Sequence, residues 1–275
     1  MRALRRVVGS LALEVWAPVE PPAPSVDVEL TWRRGCEALA FVARELELAP
    51  HETSLGGPVR LVLLPDADFA RVAGAEGADG LAVAAGEGEG DALALPLGAL
   101  AEPAELSDTL AHELVHVVQG RLVPGTEGTP WFVLEGMGLS AGARHGLSQH
   151  GRVTGPARSY LEDATAEEVA GALARFGVED LTEEAEEPEE AHGLSESAGG
   201  LFVEHLRRTW PDAQARLLAA MAWAGSAGFD AAFSRAFDGR ALPEVQREFL
   251  EVVSRTEGDW AARAAGTAFA PATGR

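Results

Sequence analysis

Every run that alternates like a β-strand lies before residue 98, and the periodic segments after residue 130 all carry the helical period. That asymmetry predicts an α+β chain. Its N-terminal lobe holds a small mixed sheet with helices, and its C-terminal lobe is all helical. In the first part "LALEVWAP" reads as a strand and residues 28–47 as an amphipathic helix. "PVRLVLLPD" reads as a buried strand followed by a short helix, and "GLAVAAGEGEGDALALPL" as two short strands about a Gly/Glu turn. Pro96 cannot donate to a ladder, so the strand containing it is expected at a sheet edge. Beyond residue 130, helices are expected at 131–145, 166–176, 194–209, 211–224, 227–237 and 243–255. The acidic, proline-interrupted stretch 181–193 is expected as a solvated loop. The predicted division is 1–129 for the α+β lobe and 130–263 for the helical lobe, with 264–275 as a frayed tail.

Hydrophobic residues make up 47% of the 275, enough to bury a core. The formal charge is −21, from 43 acidic and 22 basic residues. Such a field repels nucleic acid and anionic membrane surfaces. No stretch approaches the length of a membrane span, so no membrane insertion is expected. Arg2, Arg5 and Arg6 precede apolar residues as in an export signal, but Glu14 breaks the run and no clean cleavage site follows. The chain is therefore placed in the cytoplasm by default. With Cys36 the single cysteine there is no intramolecular disulfide, and any metal must be held by His, Asp or Glu. Cys36 itself is read as a buried structural thiol.

The chemistry concentrates in "TLAHELVHVVQG", residues 109–120. Ser107 is placed to cap this helix and Gly120 to end it. At a hundred degrees per residue, Leu110, Leu114 and Val117 share one face, and His112 and His116 stand about 40° apart on the opposite one. Histidines four apart can aim two nitrogens at one ion, and Glu113 is turned to meet a water beside it. A chain of this composition carries HExxH by chance roughly once or twice in a hundred, so the pair alone decides nothing. A catalytic zinc needs a third protein ligand and one open position. "GTPWFVLEGMGLSAG" offers Glu135 on a second helix, with Thr129 to cap it, Pro130 in its first turn, and Gly136 and Gly138 to allow close approach to the motif helix. His112, His116 and Glu135 then form a His2Glu site for one zinc ion, with Glu113 as general base.

"HELVH" followed by "WFVLEG" resembles the gluzincin metallopeptidases, and among them the small bacterial peptidase-MA-like proteins. The likeness in pattern runs over most of the chain, through "VRLVLLPDADFARVAG", "LALPL" and "SAGGLFVEHL"; only the two metal motifs are specific. The resemblance implies a thermolysin-like zincin architecture and zinc-dependent hydrolysis of an extended peptide or protein. It also admits an extracytoplasmic setting, where many relatives act. The strand at 92–97 would pair with the substrate backbone if it lay at the sheet edge. Two departures stand out. Leu139 occupies the position where many gluzincins carry an acid that orients a ligand histidine. Ser195, Glu196 and Ser197 stand where relatives often place an oxyanion-stabilising tyrosine, leaving Tyr160, His192 and His205 as candidate substitutes. These departures support an alternative: a catalytically weak or inactive member that binds peptides or partner proteins. A helical interaction domain with a chance HExxH leaves Glu135 unexplained.

Overall fold

The computed structural model describes residues 2–8, 11–17, 28–48, 59–73, 80–83, 91–98, 103–123, 128–150, 164–174 and 188–256. The chain divides into two compact units, Met1–Leu122 and Val123–Arg275. The division falls at the end of the motif helix, seven residues before the expected boundary at 129/130. The tail at 264–275 lies outside the described residues.

The first unit is built on a five-stranded mixed sheet of order β1-β2-β3-β5-β4. Its strands are β1 (Arg2–Val8), β2 (Leu11–Ala17), β3 (Val59–Leu64), β4 (Leu81–Val83) and β5 (Ala92–Pro96). β2, β3 and β5 run parallel, and β1 and β4 pair antiparallel at the two ends. Parallel neighbours need a crossover between them. α1 (Val28–Glu45) lies between β2 and β3 in the chain, and α2 (Asp66–Ala73) follows β3. On β3, Val59, Leu61 and Leu63 are buried and the residues between them are half-buried, the period-2 pattern of a sheet with one face on the core. Trp32, Leu39, Val42 and Leu46 join that core from α1 and the residue just after it. Cys36, expected to be buried, is half-buried on the same helix.

Three expectations are corrected here. Arg2–Val8, weighed only as the start of an export signal, is a strand in register with β2 from Arg2↔Ala17 to Val8↔Leu11. β5 is interior, not an edge. Pro96 is tolerated because β4 is short: its ladder covers only Ala92–Ala94, so the missing N–H falls beyond it. The edge strands are β1 and β4. Finally, α3 runs Pro103–Leu122. Ser107 is therefore a buried interior residue and not the cap, while Pro103 starts the helix with its fixed φ and no N–H to strand. Gly120 sits inside the last turn.

The second unit is helical throughout its described residues: α4 (Trp131–His150), α5 (Ala166–Ala174), α6 (Pro188–Arg207), α7 (Ala213–Ala227), α8 (Phe229–Ala236) and α9 (Leu242–Arg255). α6 begins at Pro188, so the second half of the expected 181–193 loop is helix. Proline at its first position and Glu189 and Glu190 just after suit a helix start. α4 and α6 make the most intimate pairing. A Cβ on Gly136 would lie 2.3 Å from the Gly199 carbonyl carbon, and one on Gly199 would lie 2.0 Å from the Phe132 carbonyl oxygen. Edge-on rings extend this core from Phe132 to Phe202 and on to Phe249, at 5.5 and 5.7 Å. Glu204, 2% exposed, crosses back to α4 and accepts from Ser140 Oγ at 2.6 Å, with Arg144 at 3.5 Å. α5 opens on a reciprocal cap: Thr165 N–H donates to Glu168 at 2.7 Å and Glu168 N–H to Thr165 Oγ1 at 3.2 Å. The Thr165 N–H, and after it the Thr165 hydroxyl at 2.7 Å, donate to the Glu168 carboxylate and hold it below its ordinary range. Among the described residues, no helix of either unit is long and apolar enough to cross a membrane.

Candidate metal centre

α3 is a core helix with one polar stripe. Leu110, Ala111, Leu114, Val115 and Val118 are buried, so both flanks are held, while His112, Glu113 and His116 are half-buried. Within this unit α3 packs against α1 and β4. Its C-terminal end is tied to the start of β5 by a half-buried ion pair between Arg121 and Asp91. The rows one turn apart meet as the spacing predicts: the two imidazoles sit edge to face, centroids 4.8 Å apart. Their Nε2 atoms face each other at 2.9 Å. Two nitrogens held at about 2.0–2.1 Å from one tetrahedral zinc stand roughly 3.3 Å apart. The observed pair needs to open by only a few tenths of an ångström to accept the ion, which small rotations of the two rings supply.

Two residues that the sequence did not single out complete this half of the site. Gln119, 2% exposed, sets its Oε1 2.9 Å from His116 Nδ1. It follows His116 by three, so helical periodicity returns it to the same face. Gly80, just ahead of β4, lies against α3: a Cβ there would be 2.7 Å from Thr109 Cγ2, 2.8 Å from Glu113 Cγ and 3.0 Å from Glu113 Oε1. The backbone at the head of the edge strand thus forms one wall of the space that Glu113 occupies.

Glu135 belongs to the second unit, on the first turns of α4, and is 7% exposed. A carboxylate so deep in protein is held by hydrogen bonds or a cation. Pro130 accepts the first helical bonds, from Val133 at 2.9 Å and Leu134 at 3.3 Å, and Thr129 is buried just before it. Gly136, expected to clear room for the motif helix, has its tight contact with Gly199 of α6. Gln214 Nε2 donates to the Met137 carbonyl at 3.1 Å, fixing the same segment from α7.

Leu139, in the position of the expected acid, packs on Gly200, where a Cβ would meet its Cδ2 at 2.7 Å. The position is spent on helix packing, and the hydrogen-bond partner at His116 Nδ1 is Gln119. Ser195 is buried and donates to the Ala172 carbonyl at 3.2 Å, and Ser197 is buried too. Of the candidate tyrosine substitutes, Tyr160 and the side chain of His192 lie outside the described residues. His205 stacks at a tilt on Phe249, centroids 5.5 Å apart. Burial, then the Arg208 charge, hold its pKa below the ordinary imidazole value.

Hard oxygen donors alone would suit magnesium or calcium; imidazole donors suit zinc and the neighbouring transition metals. No protein-family model and no curated protein matches the chain.

Proposed function

We propose that this protein is a zinc-dependent peptidase of the gluzincin type, with His112, His116 and Glu135 as ligands of one zinc ion and Glu113 as general base. The observation that carries the reading is the histidine pair: two Nε2 atoms 2.9 Å apart on a rigid, doubly packed helix, one imidazole already oriented from behind by Gln119. The donor set leaves a fourth position for substrate or water. Zinc bound there supplies the Lewis acidity that makes a water acidic near neutral pH and polarises the scissile carbonyl.

The chain's own residues do the rest. Glu113, half-buried and walled by Gly80, takes the proton from the attacking water at its carboxylate and returns it to the leaving amine nitrogen. The water oxygen adds to the carbonyl carbon as the C=O π bond opens, and the C–N bond then breaks as the carbonyl re-forms and the protonated amine leaves. Substrate strand addition moves from β5, which is interior, to the outer side of β4, the edge strand that begins beside Glu113. An extended peptide there runs past the general base.

The test is a metal and activity assay on the purified chain. Wild type should bind one zinc and cleave members of a broad peptide library, and a chelator should stop cleavage. Glu113→Gln should keep zinc and lose at least about a hundredfold in kcat, the low end of a general base's contribution. His116→Ala should lose both zinc and activity. Stoichiometric zinc without turnover would favour a peptide-binding protein on the same fold. A wild-type chain that takes up no zinc would end both readings.

A further inference from the structure

We infer that Gln119 is a positioning residue for the metal site: it fixes His116 in the tautomer that presents a bare Nε2. The inference rests on the zinc reading above. A carboxamide oxygen only accepts hydrogen bonds, and Gln119 Oε1 lies 2.9 Å from His116 Nδ1. The proton of neutral His116 therefore sits on Nδ1, and the lone pair on Nε2. The Nε2 atom so exposed faces His112 Nε2 across 2.9 Å, the space an ion shared by both imidazoles would occupy.

Gln119 is suited to the role by its place. It is 2% exposed, so water does not compete for the bond. It shares a helix with its target, so their relative position is set by backbone and not by a loop. The position where a carboxylate would be expected to orient a ligand histidine holds Leu139, packed on Gly200. A neutral amide in place of a carboxylate orients the ring without adding a second negative charge beside it. Outer partners of ligand histidines are worth roughly 10- to 100-fold in metal affinity.

The experiment uses the full chain and two readouts. Zinc affinity is measured by competition with a chromophoric chelator in wild type and in Gln119→Leu, Gln119→Met and Gln119→Glu, each first checked for folding by circular dichroism. Imidazole nitrogen shifts of zinc-stripped protein give the tautomer of His116, assigned through His116→Ala. Expected is a bare Nε2 on His116 in wild type and in Gln119→Glu, and its loss in Gln119→Leu. Zinc affinity should fall about 10- to 100-fold in the leucine and methionine variants and hold in Gln119→Glu, which keeps the acceptor. If the leucine variant does not fold, the contrast between methionine and glutamate carries the test. A protonated Nε2 on His116 in wild type, or folded leucine and methionine variants with wild-type zinc affinity, overturns the inference alone. No zinc on wild type overturns the metal reading and the inference with it.

Discussion

Glu113 can serve as a base only if its carboxylate is held where the proton arrives, and the nearest constraint on it is a missing side chain. The space for a Cβ at Gly80 is taken by Glu113 and Thr109, the closest atoms 2.7 to 3.0 Å away. Those are far inside ordinary contact, and two of the three are near-backbone atoms of a packed helix, not a free side-chain tip. Gly80→Ala must therefore push Glu113 or the head of β4 aside. The expected outcome is a drop in kcat of about tenfold or more, since displacements near 1 Å are worth up to a hundredfold. Zinc content should be unchanged, because the atoms displaced belong to Glu113 and Thr109 and not to the histidines. An alanine variant with full kcat would show that Glu113 is not held from this side. That His112, Glu113 and His116 stand on the half-buried side of one helix was legible in the sequence, because helical periodicity fixes their faces without reference to anything else. Gln119 and Gly80 were not. Glutamine is not among the usual ligands of zinc, and its part depends on one rotamer; a glycine's part depends on what another element brings against it.

Element packing turns on the same distinction, and two glycines make it measurable. Gly136 and Gly199 let α4 and α6 touch backbone to backbone, with 2.3 Å from a hypothetical Cβ to the opposing carbonyl carbon. Backbone cannot rotate away, so Gly136→Ala should lower unfolding stability by about 1–3 kcal/mol, as overpacked cores do. Gly120 is exposed in the last turn of α3 with nothing within 4 Å of where a Cβ would go. There alanine adds helix propensity alone, and Gly120→Ala should raise stability by about 0.5–1 kcal/mol. Urea titration of both variants checks the opposite signs; equal effects would mean that propensity, not the α4–α6 contact, governs both. The elements themselves were largely readable: α1, β3, α2 and, among the described residues after 130, the helices fall close to where the periodicity put them, except that α6 begins six residues early at Pro188. What failed depended on neighbours. Pro96 is a poor ladder residue in any central strand, and only the shortness of β4 makes β5 an exception. Arg2–Val8 and Leu11–Ala17 are separated by Gly9 and Ser10 alone, a hairpin signal that the arginines obscured.

At the scale of the whole molecule, charge is the property that reaches furthest. With 43 acidic and 22 basic residues, the chain carries −21 at pH 7. If the chain is the peptidase proposed above, a field of that size acts on a peptide before it reaches the site, favouring cationic over anionic sequences in the encounter step. The effect is separable from side-chain recognition by its range. Two peptides that differ only in lysine or glutamate residues placed well away from the scissile bond should differ in kcat/KM by roughly tenfold at low salt, where the Debye length is about 30 Å. At 1 M salt the Debye length shrinks to about 3 Å, and the two values should converge while kcat for each stays as it was. A preference that persists at high salt would place a specific acidic contact at the site, since close pairs are little screened. Equal kcat/KM at low salt would mean that encounter does not limit the reaction, and that the acidity of the chain serves its solubility and not its choice of substrate.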